Sequence, residues 1–173
     1  MFNFFRKPYS HLYILGDNSN WVLDEESKQL KKTANLLGIN ASIKKTVRSN
    51  ISQVVYHTSQ FSLNDENIYK KNHRIIVDYF HGKPEQDEKF NKCFESLKKH
   101  HQQISRVRVS NRAMEALIKT SGIDSEKVFR IPIAVDLDLF KPVTKETRAE
   151  ERMKLGIPYD AVVIGSFQKD GVG

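Results

Sequence analysis

Three short segments place hydrogen-bonding and charged side chains directly after apolar runs, where a chain built of strands and helices presents its loops. Gly16-Asp-Asn-Ser-Asn-Trp21 follows the first such run. Asp17 and Asn18 bring polar groups there, Trp21 a flat ring, and the helix start just beyond has free N–H groups that favour anions. His81-Gly-Lys-Pro84 follows the most apolar run in the chain. His81 is a candidate site group, Gly82 lets the backbone pass close to a ligand, and Lys83 is placed to meet a phosphate. His57 and Thr58 end a third run. Each segment also has a plainer reading, as a capped turn or a strand-end residue packed on its own domain.

Other polar residues have stronger structural readings. Asp78 lies inside an apolar run, and a buried carboxylate needs partners; it is either paired within the domain or set at a cleft. Lys98-Lys-His-His-Gln-Gln103 reads as a solvated helix end. Its adjacent histidines point about 100° apart on a helix and suit shared metal ligation poorly. Cys93, the single cysteine, falls between Phe90 and Phe94 at helical spacing and reads as a small buried hydrophobe. It rules out an internal disulfide framework and a cysteine-based zinc site.

The elements that must position these groups alternate between short apolar runs and charged helical stretches, the pattern of a parallel sheet wrapped by helices. Strands are expected at 11–16, 41–44, 53–57, 74–80, 106–110 and 128–132. The fourth, Arg74-Ile-Ile-Val-Asp-Tyr-Phe80, suits a central strand covered on both faces. A helix is expected from Asp24, with Leu30, Ala34 and Leu37 on its inner face and Gly38 at its end. Another opens at Pro84, with Phe90, Cys93, Phe94 and Leu97 forming an i, i+3, i+4, i+7 stripe. Shorter helices are expected at 64–71 and at 111–120, the latter with Met114, Leu117 and Ile118 inward.

From Phe140 to Pro158 the composition becomes linker-like, and Ala161-Val-Val-Ile-Gly165 starts a further strand with no partner strand after it. The expected organisation is a Rossmann-like domain over 1–140, a linker over 141–158, and the first strand and loop of a truncated second domain over 159–173.

The 173 residues carry a formal net charge of +7. Such a balance draws a chain toward phosphates, in a nucleic acid, an anionic lipid or a sugar nucleotide. The bases are spread along helices with no aromatic-plus-basic cluster, which argues against nucleic acid. No run approaches the ~20 apolar residues of a membrane span. A reducing cytoplasm is the expected setting; the apolar, basic start Met1-Phe-Asn-Phe-Phe-Arg-Lys-Pro8 reads as a lead into the first strand, with contact at the inner membrane surface as the alternative.

Four short motifs in order carry a family resemblance. Val109-Ser-Asn-Arg leads into Val128-Phe-Arg-Ile-Pro-Ile-Ala-Val-Asp136; then come Phe140-Lys-Pro142, Arg152-Met-Lys-Leu-Gly-Ile-Pro158 and Val162-Val-Ile-Gly-Ser166. This order resembles the domain crossover of family-4 glycosyltransferases, which have the two-domain GT-B fold. The resemblance covers residues 105–173 well and the rest by strand–helix order alone. It implies transfer of a sugar from a nucleotide-diphosphate donor, with retention, to a carbohydrate or lipid-linked acceptor, without cofactor or metal. It implies that the loop Gly16 to Trp21 contacts a sugar, with Asp17 and Asn18 on hydroxyls and Trp21 on a ring. It places His81 near the reacting sugar, with Gly82 and Lys83 beside it, and Gly165 and Lys169 at the donor diphosphate. Two positions depart from the family: Ile133-Ala134 replace an Asn-Gly pair, and Ser166 replaces an arginine. The family's later glutamate pair lies beyond residue 173, so the chain alone is expected to be inactive. The rival reading is a stand-alone Rossmann-like domain that binds nucleotides or phosphates, but the Gly-x-Gly-x-x-Gly fingerprint is missing after the first strand.

Overall fold

In the computed structural model, described here for residues 11–16, 22–47, 52–70, 72–138 and 140–165, six strands form one parallel sheet. They are β1 (His11–Leu15), β2 (Asn40–Lys44), β3 (Val54–His57), β4 (Arg74–Tyr79), β5 (Ile104–Val109) and β6 (Val128–Arg130). Their order is β2-β1-β3-β4-β5-β6. All five pairings are parallel. The fold class is therefore the α/β, Rossmann-like one that the alternation of runs implies. The helices of the sheet unit are α1 (Val22–Leu36), α2 (Glu88–His100) and α3 (Arg112–Lys119).

Strand periodicity sorts the side chains onto two faces. On one, Ile75, Val77 and Tyr79 of β4 and Val107 and Val109 of β5 pack with Cys93, Phe94 and Leu97 of α2 and Met114 and Ile118 of α3. On the other, Ile14 and Tyr56 pack with Ala34 of α1 and Ala41 of β2, flanked by Leu12, Leu30 and Ile76. The expected stripe on α2 is thus the buried one, with Phe90 half-buried at its start.

Several boundaries differ from the sequence reading, each for a local reason. Helix α1 stops at Leu36 in a Schellman motif: Ile39 N–H bonds to the Ala34 carbonyl and Gly38 N–H to that of Asn35. Gly38 takes φ +74° there, and Leu37 is turned out to 73% exposure rather than inward. Helix α2 begins not at Pro84 but at Glu88, because the Asp87 side chain accepts the Lys89 N–H and caps it. The helix expected at 64–71 is instead a pair of 3₁₀ turns, Gln60–Asn64 and Glu66–Ile68, divided at Asp65, whose side chain accepts from Asn67 N–H.

Residues 135–173 form a second compact unit, distinct from 1–134. Within it the charged run forms α4 (Lys145–Lys154), capped by the Thr144 hydroxyl on Thr147 N–H. Arg152 of α4 is buried and donates to the carbonyls of Pro158 and Ala161. Residues 161–165 form no strand, and Val162 and Ile164 are almost fully exposed. A strand is defined by its ladder, and among the described residues these have none.

Candidate functional site

In a sheet of this order the connections leave in opposite directions from β1 and β3, and ligands of open α/β sheets gather outside the carboxyl ends of the strands at such a switch point. Each strand end is held there by specific bonds. The Thr58 N–H and hydroxyl both donate to the Leu15 carbonyl, at 3.1 and 3.2 Å, joining the ends of β1 and β3. Ser27 of α1 donates to the Leu23 carbonyl and lies 3.3 Å from the Thr58 hydroxyl. Gly16 follows β1, and a Cβ on it would come within 3.2 Å of an Asp24 carboxylate oxygen and 3.3 Å of the Ser27 hydroxyl. Its small size thus lets the first turn of α1 approach β1.

Gln60 organises the end of β4. Its side-chain oxygen accepts from the Phe80 and His81 N–H groups at 3.1 and 3.3 Å, and its amide donates to the His81 carbonyl at 2.9 Å. The Ser110 hydroxyl, at the end of β5, donates to the Phe80 carbonyl at 2.8 Å. The backbone of His81 is therefore fixed while its ring is exposed, resting edge-on against Phe90 with centroids 5.3 Å apart. Gly82 adopts φ +84°, and a Cβ there would stand 2.4 Å from the Phe90 ring. Packing on Phe90 alone accounts for glycine at this position. Lys83 is exposed, and its N–H bonds to the Gln86 side chain.

Behind His81 lies a buried polar cluster on the α1 face. Asp78 and Arg108 are register partners on β4 and β5, and Asp78 is fully buried. Tyr56 donates to Asp78 Oδ1 at 2.6 Å. Asp78 Oδ2 lies 3.5 Å from Arg108 Nη1, within ion-pair reach, but accepts no hydrogen bond. Arg108 Nη1 sits closer to Glu26 of α1, at 2.6 Å. The same guanidinium donates to the carbonyls of Ile131 and Pro132 at 3.1 and 3.0 Å, fixing the chain after β6, and covers the Phe80 ring at 5.2 Å.

Burial dominates the protonation of this cluster. It raises the Asp78 carboxyl to about 7, against the lowering effects of the Tyr56 hydrogen bond and the Arg108 charge. Burial, helped by the neighbouring Asp78, pushes the Tyr56 hydroxyl far up. Burial works against the Arg108 charge, but Asp78, Tyr56 and Glu26 together lift its pKa, so it remains a cation. The alternative left open for Asp78 thus resolves toward pairing, in a cluster whose Glu26 lines a cleft.

The candidate residues do not share one cavity. Gly16 lines a cavity of about 220 Å³ with His57, Asp65 and His73. His81 lines another, of about 270 Å³, with Glu26, Gln60, Phe61, Phe80 and Ile133. Asp17, Asn18, Trp21 and Lys169 lie outside the described residues. Gly165 belongs to the second unit and is exposed. Glu26, Gln60 and Arg108 escaped the sequence reading. Arg108 alternates with the apolar Val107 and Val109 and could have been flagged, as Asp78 was; Gln60 and Glu26 carry no comparable signal.

The Lys98–Gln103 stretch is engaged structurally. Lys98 pairs with Glu95 and Lys99 with Glu66. His100 stacks on Tyr69 at 3.8 Å and reaches Glu66. Among the described residues no group of three or more His, Cys, Asp or Glu could hold a metal ion, and no helix is long and apolar enough to cross a membrane.

No protein-family model matches the chain, and no curated protein matches it in sequence. Its fold does match solved structures. Anabaena Alr3699/HepE in complex with UDP aligns with a TM-score of 0.56 and 12% identity, over 85% of this chain and 50% of that one. The same protein with UDP and glucose aligns with a TM-score of 0.54, at the same identity and coverage. At this identity the likeness establishes a shared Rossmann-like fold. The chain spans half the length of the protein it matches.

Proposed function

We propose that this chain is the acceptor-side portion of a nucleotide-sugar-dependent glycosyltransferase of the GT-B kind, with the family-4 crossover over residues 105–173. The observation that carries the reading is the fold shared with half of a protein crystallised with UDP and glucose, the two pieces of a nucleotide sugar. It is supported by the ordered motifs from Val109 to Ser166 and by the Gln60-anchored strand end that presents His81. His81 hydrogen-bonds the reacting sugar or acceptor, Gly82 shapes its turn, and Lys83 adds positive charge at the rim. The loop Gly16 to Trp21 contacts a sugar, with Asp17 and Asn18 on hydroxyls and Trp21 on a ring. Gly165 and Lys169 begin the part that grips the donor diphosphate. Transfer proceeds with retention, by positioning and by stabilising the leaving diphosphate, without a metal. The working site is the cytoplasm, including the inner membrane surface.

The test is to titrate UDP, then saccharides and glycosides, into the 15N-labelled 173-residue chain, and to assay sugar transfer from UDP-glucose. UDP is expected not to saturate below millimolar concentration, acceptors are expected to move the His81 and Gln60 signals, and no transfer is expected from this chain alone. Micromolar UDP binding would favour the stand-alone nucleotide-binding reading. Transfer by the 173 residues would show that the donor chemistry lies within them.

A further inference from the structure

The cavity beside His81 has an unusual balance of surfaces for a carbohydrate site. Its walls include Leu23 of α1, Phe61 after β3, Phe80 at the end of β4, and Ile133 after β6. Phe61 and Ile133 remain 42% and 47% exposed, so apolar surface is left facing the opening.

Most of the polar capacity around it is already committed. Gln60 uses its oxygen on two backbone N–H groups and its amide on a carbonyl. Glu26 gives Oε1 to Arg108, and among the described residues nothing takes Oε2. The polar residues lining the cavity are Glu26, Ser59, Gln60 and His81, and the apolar ones are Val22, Leu23, Phe61, Phe80 and Ile133. A free sugar carries more hydroxyls than these residues can pair and would leave several desolvated without partners. An apolar body carrying a single hydroxyl loses nothing comparable and gains the burial of its hydrocarbon. At about 30 Å³ per water-sized group, the cavity of about 270 Å³ holds about nine heavy atoms.

We propose that this cavity binds an apolar alcohol, a phenol or hydroxylated hydrocarbon of about nine or ten heavy atoms, with its body on Leu23, Phe61, Phe80 and Ile133 and its hydroxyl on Glu26. Resting on the glycosyltransferase reading, this makes the acceptor, or the part of it seated here, an aglycone and not a sugar. Glu26 accepts the hydroxyl hydrogen and orients the oxygen, and His81 stands on the same rim. Arg108 acts as a positioning residue: it fixes the Glu26 carboxylate and, through the Ile131 and Pro132 carbonyls, the segment that carries Ile133.

The experiment titrates 4-ethylphenol, xylose (a sugar of similar size) and UDP separately into the 173-residue chain, reading the 13C-methyl signals of Val22, Leu23 and Ile133 and the ring signals of His81. 4-Ethylphenol is expected to shift the three methyl-bearing residues saturably and xylose to leave them in place. Ile133→Glu and Phe61→Ser, both at exposed positions, are expected to weaken ethylphenol binding about tenfold, the effect of losing one apolar contact of about 1.4 kcal/mol, with the fold retained by circular dichroism. Methyl shifts with xylose stronger than with ethylphenol, or no saturable ethylphenol shift, overturn the inference. Xylose moving His81 without ethylphenol binding sinks the apolar assignment and leaves the glycosyltransferase reading standing. Micromolar UDP binding sinks that reading whether or not ethylphenol binds.

Discussion

Replacing Asp78 by asparagine separates the two forces acting on the buried cluster. Asparagine keeps the shape and an oxygen to accept the Tyr56 hydroxyl hydrogen, but it has no charge to bury. In the native protein the Asp78 carboxyl rises from its ordinary 3.8 to about 7. Between these values the folded chain holds a proton that the unfolded chain has released. Unfolding then releases a proton, so stability falls as pH rises. The stabilisation from the protonated acid is complete below pH 3.8 and is lost by the time the pH passes about 7. At 1.36 kcal/mol per pH unit the loss is on the order of 4 kcal/mol. Urea denaturation of both proteins at intervals from pH 4.5 to 7.5 isolates this contribution, since titrations elsewhere cancel in the difference. Native stability is expected to fall relative to Asp78→Asn across that range, leaving the variant at least as stable at pH 7.5. Parallel profiles would refute the reasoning. A variant much weaker at pH 7.5 would do so as well, because it would mean that the pair with Arg108 outweighs the burial of its charge.

Two further outcomes follow from packing. Gly82→Ala combines a positive φ with a Cβ driven against the Phe90 ring, and is expected to cost roughly 2–4 kcal/mol in urea unfolding. Adding Phe90→Ala should recover the steric part but not the conformational part, and a neutral Gly82→Ala would show that this turn is mobile. Cys93 is fully buried, and burial pushes its thiol up, so a thiol reagent is expected to modify it only at the rate of unfolding; rapid reaction in native buffer would contradict its place on the buried face of α2.

Local pattern was enough to reveal six strands and the helices α1 to α3, because each buries a stripe whose period appears directly in the residues. The apolar run over β4 and the spacing of Cys93, Phe94 and Leu97 are of this kind. Boundaries were less legible where a single side chain competes with periodicity: Asp87 delays α2, Asp65 divides a helix into two turns, and the Gly38 motif turns Leu37 outward. The charged run 145–154 looks like linker by composition, yet it forms α4, since Thr144 caps it and buried Arg152 ties its end to Pro158 and Ala161.

The sequence by itself determined the class of sheet, the strand ends where loops collect, and the candidacy of His81 and Gly82, because those depend on neighbours along the chain. Only the tertiary structure decided what stands beside them. Glu26, Gln60, Asp78 and Arg108 lie on four different elements, and strand order and register bring them together. Gly16 and His81, both at strand ends, line different cavities because β3 and its loop run between them. Long-range pairing sets which polar groups are already committed, Gln60 among them, around a cavity whose walls include Leu23, Phe61, Phe80 and Ile133.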